Sequence, residues 1–179
     1  MKDLRAHLAL LVAIGLPTKV VAQLTCTAAG SPDICSIAGQ IIFTATGLLS
    51  LQTSSATTVL RSPTPADYNA GFNTTVGPTL TVRANQSWTV HIRSAAPLWT
   101  ATNTSGNVAA RPTKPAADLR WSTASNGVFT PTSTTDVTVV NGLASDGTIV
   151  TLHFRTVYNW SLDTPGNYSL ALMLTLTSP

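Results

Sequence analysis

This chain contains no glutamate. All of its acidic residues are aspartates, and lysine is nearly as scarce, with Lys114 standing alone after Lys19. Charged residues make up 9% of the 179, against the usual quarter or so. Glu and Lys populate the exposed faces of ordinary helices, so their scarcity excludes a surface built from helices. Long apolar runs are also missing. Apart from "LALLVAIGL" near the N-terminus, nothing approaches a membrane span, and even that run is far short of the ~20 residues a bilayer requires.

Catalytic signatures are equally absent. There is no G-x-S-x-G elbow, no H-E-x-x-H, no phosphate-binding loop and no dinucleotide-binding glycine pattern. Beyond His7, only His91 and His153 are present. Both fall on the polar sides of alternating segments, with no orienting partner at a recognisable spacing, so we expect them to be dispensable. No D-x-D-x-D loop occurs. Asp33, Asp67, Asp146 and Asp163 are read as turn residues that accept hydrogen bonds from their own backbone. We expect no catalytic residue, no cofactor and no metal.

What is present begins with a leader. Lys2 and Arg5 precede the apolar run, and "VVA" at 20–22 supplies medium and small residues for cleavage. This order is that of a secretory signal peptide over residues 1–22, leaving a single domain over 23–179. The remaining chain carries seven basic and six acidic side chains, a net +1. That near-neutrality argues against a nucleic-acid partner, which would need clustered positive charge. Cys26 and Cys35 bracket "TAAGSPDI". In an exported chain this pair is expected to form a disulfide, the intervening Gly, Pro and Asp favouring a turn. Export places the protein in the periplasm, at the cell surface or in the medium, with no membrane span after cleavage.

The rest reads as short strands. Candidates are Ser36–Ala45, Gly47–Thr53, Thr57–Leu60, "TLTVRA", "SWTVHIRS", "LRWST", "DVTVV", "TIVTLHFRTVYNW" and the closing "YSLALMLTLT". Leu80, Val82 and Ala84 alternate with Thr79, Thr81 and Arg83, and Trp88, Val90 and Ile92 with Thr89, His91 and Arg93. This period of two belongs to strands with one buried face. The two segments are expected to form a tight hairpin or one bent strand. "SPTPADYNAGFNTTVGP" reads as a loop. The "DTPG" turn is expected to make the closing strand an antiparallel neighbour of the strand before it, with Leu170, Leu172, Leu174 and Leu176 facing the core. The fold class is all-β, an antiparallel immunoglobulin-like sandwich of about eight to ten strands.

Trp88 and Trp160 fall in register with aliphatic residues and are expected in the core. Trp99 and Trp121 flank the Pro-rich loop 103–118 and are the candidate ligand platform, an indole pair that could stack on sugar rings. Asn73, Asn85, Asn103, Asn159 and Asn167 each begin an N-x-S/T triplet, a glycosylation signal in a eukaryotic host. In a chain this rich in Ser and Thr such triplets arise by chance, and the Glu-free, Ala/Thr-rich composition has a bacterial character.

The segments "YNWSLDTPGNYSLALMLTLTSP", "TVRANQSWTVHI" and "RPTKPAADLRWST" resemble secreted bacterial surface β-sandwich proteins, among them WxL-type cell-surface domains and pilin-like or spore-coat-like subunits. Trp160–Leu162 is one literal W-x-L, but the final strand lacks the second that WxL-type domains carry. The resemblance implies a non-enzymatic structural or adhesive role at the cell surface, as a fibre or coat subunit. Its partner would be a second copy of the chain, through strand addition, or, for a binding module, cell-wall glycan.

Overall fold

A computed structural model describes residues 42–103 and 110–179. The expected leader, the Cys26–Cys35 pair and most of the strand candidate Ser36–Ala45 lie outside these residues. The chain divides into two compact units, Met1–Thr44 and Ala45–Pro179. All the elements described below belong to the second.

Among the described residues ten strands form: β1 (Leu49–Thr53), β2 (Phe72–Ala84), β3 (Trp88–Ser94), β4 (Thr100–Thr102), β5 (Leu119–Ser122), β6 (Thr130–Pro131), β7 (Val137–Gly142), β8 (Ser145–Val157), β9 (Asn167–Ser169) and β10 (Leu172–Thr177). One short helix, α1 (Pro65–Ala70), and a 3-10 turn (Ala116–Asp118) complete the list. A five-stranded sheet has the order β1-β2-β8-β5-β6, a three-stranded sheet the order β10-β3-β7, and β4 pairs with β9. Every pairing is antiparallel.

The two larger sheets close on one core, giving the expected all-β antiparallel sandwich. Leu80, Val82, Leu152, Phe154, Leu119 and Trp121 from the first meet Trp88, Val90 and Ile92 from the second. Strand β3 alternates strictly between buried and half-buried residues along its whole length, as its sequence predicts. Strand β2 does not keep one phase. Asn73 is buried at one end, and Leu80, Val82 and Ala84 at the other, so the inward set changes from odd to even numbers. The change occurs at Gly77–Pro78, where the β2–β8 register shifts between Val76 and Thr79. An extra residue in one strand flips every side chain beyond it. A bulge is also where an interior strand tolerates proline, and a Cβ on Gly77 would lie 2.5 Å from the Phe154 ring.

Several expectations are corrected. β2 and β3 form neither a hairpin nor one strand: they belong to opposite sheets, and residues 85–87 cross the sandwich. β7 and β8 likewise cross between sheets. The closing strand does not pair with β8. It pairs with β3, Leu174 opposite Ile92, while β8 lies between β2 and β5. Leu170, Leu172, Leu174 and Leu176 do pack against the common core, though each is only partly buried. Thr57–Leu60 forms no strand. The supposed loop contains α1, for a local reason. Thr64 accepts from the Asp67 amide while the Asp67 carboxylate accepts from the Thr64 amide, Pro65 opens the first turn, and Gly71 closes the helix at φ 80°. This is a capping box with an N-terminal proline and a left-handed glycine cap.

Candidate functional site

Trp88 lies in the core as expected, 2% exposed, but the structure reverses the assignments of the other three tryptophans. Trp99 and Trp121 are each 6% exposed and belong to the core. The Trp99 indole N–H donates to the Pro115 carbonyl at 3.1 Å. Neither indole offers a face to a sugar, so the platform placed on this pair is withdrawn. Trp99 immediately precedes β4 and Trp121 lies within β5, segments of three and four residues that are too short to carry a periodic signal. Trp160, expected in the core, is instead 61% exposed. Strand β8 ends at Val157, three residues too early to carry it inward. Its ring stacks on Tyr68 of α1 at 4.6 Å between centroids, and its N–H donates to Asn69 Oδ1 at 3.0 Å.

His91 lies opposite Thr175 and Thr138 within the three-stranded sheet. His153 lies opposite Ser122 and Val76 in the other sheet. The structure does not bring the two onto a common strand pair. Among the described residues, no group of three His, Cys, Asp or Glu side chains is placed to hold a metal ion. Of the triplet asparagines, Asn73 is buried and donates its amide to the Arg61 carbonyl at 3.0 Å.

The polar site that sequence reading missed lies beneath the Trp160–Tyr68 stack. Lys114, the lone lysine of the body, is 2% exposed, and Asp163 is 8% exposed. Lys114 Nζ donates to Asp163 Oδ1 at 2.9 Å, to Asp118 Oδ2 at 3.2 Å and to the Val157 carbonyl at 2.9 Å. Arg111 Nη1 lies 3.0 Å from Asp163 Oδ1 and 3.6 Å from Asp118 Oδ2. The Asn159 amide donates to Asp163 Oδ2 at 2.8 Å. The Tyr158 ring centroid is 5.5 Å from Nζ, and the Tyr68 hydroxyl donates to the Asp163 carbonyl at 3.2 Å. Two cations thus face two carboxylates, a charge-neutral set in which Lys114 and Asp163 are buried and Arg111 and Asp118 are partly exposed.

Burial pushes the Asp163 carboxyl up, but the hydrogen bond and charge of Lys114, with Arg111 and the Asn159 amide, outweigh it and hold the group below the ordinary aspartate range. Burial raises the phenols of Tyr68 and Tyr158. Each cluster member comes from an irregular segment pinned to a strand end. Lys114 precedes the 3-10 turn that carries Asp118, and Asp163 closes a turn in which its amide donates to the Asn159 carbonyl at 2.9 Å. Two signals in the sequence pointed here: a single lysine in "RPTKPAAD", with an aspartate four residues on, and an Asp in a turn that follows a long apolar strand.

Arg155 of β8 is held between two rings, its guanidinium carbon 4.3 Å from the Phe72 centroid and 4.0 Å from that of Phe129. No helix among the described residues is long and apolar enough to cross a membrane. Compared with known proteins, the chain matches no family model and no curated protein.

Proposed function

We propose that this chain is an exported, non-enzymatic structural protein of the bacterial surface, a subunit that joins a second copy by strand addition along β10. The observation that supports this reading is the contrast between two adjacent strands. Val90 and Ile92 of β3 are at most 1% exposed, whereas their neighbours Leu172, Leu174 and Leu176 on β10 are only partly buried. Among the described residues, β10 is hydrogen-bonded to a strand on one side only. An unpaired edge beside half-covered leucines is a template for one more strand. The occupant we assign is residues 36–45 of a second copy, "SIAGQIIFTA". In that segment Ile37, Gly39, Ile41 and Phe43 fall on one side at the period of two that a strand demands, with Ala38, Gln40, Ile42 and Thr44 on the other.

The test is assembly of the secreted protein as a function of concentration, followed by sedimentation and electron microscopy, with a synthetic 36–45 peptide as competitor. Concentration-dependent oligomers or filaments that the peptide disperses are expected. A monomer at every concentration that fails to bind the peptide would overturn the proposal.

A glycan-binding module is the second reading. The feature that favours it is the exposed Trp160 ring backed by Tyr68, which leaves one indole face open to a sugar. Retention on peptidoglycan that is lost in Trp160→Ala would move this reading to first place.

A further inference from the structure

The geometry around Lys114 points to a reaction within the chain. We propose that Lys114 and Asp163 are joined by an intramolecular isopeptide bond, formed after folding with Asp118 as the proton carrier. An ammonium and a carboxylate sealed from water at 2.9 Å are already the two halves of an amide. The aqueous competitor for both groups is excluded, since Lys114 and Asp163 are 2% and 8% exposed. Holding two reacting groups in contact removes the entropic cost that makes the same condensation negligible in free solution.

Each neighbour has a part in the step. Asp118 Oδ2, 3.2 Å from Nζ, takes one proton from the ammonium and leaves the neutral amine that attacks Asp163 Cγ. The charge that develops in the tetrahedral intermediate falls on Oδ2, which the Asn159 amide already meets at 2.8 Å, the arrangement of an oxyanion-stabilising donor. The Nζ–Cγ bond forms, and the Cγ–Oδ1 bond breaks. Two of the three ammonium protons leave with Oδ1 as water, each carried by Asp118. No oxidant, cofactor or activating group is consumed. Arg111 supports the balance of charge on both sides of the step. Before it, two cations face two carboxylates; afterwards Arg111 and Asp118, 3.6 Å apart, remain as a matched pair. The amide nitrogen keeps one proton for the Val157 carbonyl, which Nζ already contacts at 2.9 Å.

The measurement is the intact mass of the folded, exported wild-type protein under reducing conditions, followed by tryptic mapping. Trypsin does not cleave before proline, so Arg111 and Lys114 are spared and the digest holds residues 94–120 and 156–179 as two peptides. We expect a mass lower than the sequence by one water, and a single branched species joining these two peptides. Asp118→Ala and Lys114→Arg are expected at full mass, without the branched species. A folded wild-type protein at full mass overturns the proposal regardless of how the variants fold. A missing water that maps instead to a succinimide at Asp146–Gly147 overturns it equally.

Discussion

Tryptophan is the residue on which burial and exposure part most sharply here. Trp121 and Trp99 fill the core, and replacing either by alanine should destabilise the fold by about 3–5 kcal/mol through the cavity left behind. Trp160 contributes chiefly its stack on Tyr68. Trp160→Ala should therefore cost only about 0.5–1.5 kcal/mol, and chemical denaturation of the three variants side by side checks the order. Asp67 behaves differently, because its role is local. The Arg61 guanidinium, 2.6 Å away, and the amide and hydroxyl of Thr64 hold its carboxyl far below the ordinary aspartate value. A carboxyl depressed by folding stabilises above its unfolded pKa, about 3.9, and that contribution is lost as pH falls through the folded value. Amide exchange in α1 should accordingly quicken under acid before the sheets respond. In Asp67→Asn this acid dependence should disappear.

Strands that keep one phase were the ones legible in the sequence, β3 above all. β2 was legible only in its second half, because the bulge at Gly77–Pro78 changes which residues face inward and no single period spans it. Strand partners were not legible at all. Alternation says which face is buried and nothing about which strand lies alongside, so the closing strand was placed beside β8 when its partner is β3. The helix was written in "TPAD" and the glycine four residues after its aspartate, a capping pattern hidden by prolines that read as loop. Of the buried Lys114 cluster only the separate members were marked in the sequence, by the lone lysine and the turn aspartate; that they meet was not legible, since only tertiary pairing brings their loops together. Three substitutions test packing at this scale. Ile92→Ala, fully enclosed on β3, should cost about 2–5 kcal/mol. Leu174→Ala, its partner on the open-sided β10, should cost about half as much in the isolated chain, and its cost should rise towards that of Ile92→Ala wherever a further strand is added. Gly142→Ala should be costly as well, about 1–3 kcal/mol by overpacking. A Cβ there would lie 2.6 Å from the Trp88 ring, which is itself 2% exposed. Equilibrium unfolding of each variant measures these values.

The whole molecule is assembled from distant pairings. The β2–β8 ladder at the centre of the larger sheet joins residues such as Thr79 and Thr151, 72 positions apart, and no two strands of the three-stranded sheet follow one another in the chain. Folding should be slow for the size of the unit, in the range of milliseconds to seconds, and stopped-flow refolding of the second unit tests this. The crossings at 85–87 and between β7 and β8 have a further consequence. If the backbone were opened between Ser94 and Ala95, the first piece would carry β1, β2 and β3, and the second β5 to β8 and β10. Apart from β1–β2 and the β5 pairings with β6 and β8, every ladder of the two large sheets would then run from one piece to the other. The molecule is in this sense already a pair of complementary halves that happen to share a peptide bond. Neither half holds a closed core by itself, yet mixing them should rebuild the sandwich, so a chain severed at this one point would become a split protein whose reassembly reports the meeting of whatever is fused to its two parts.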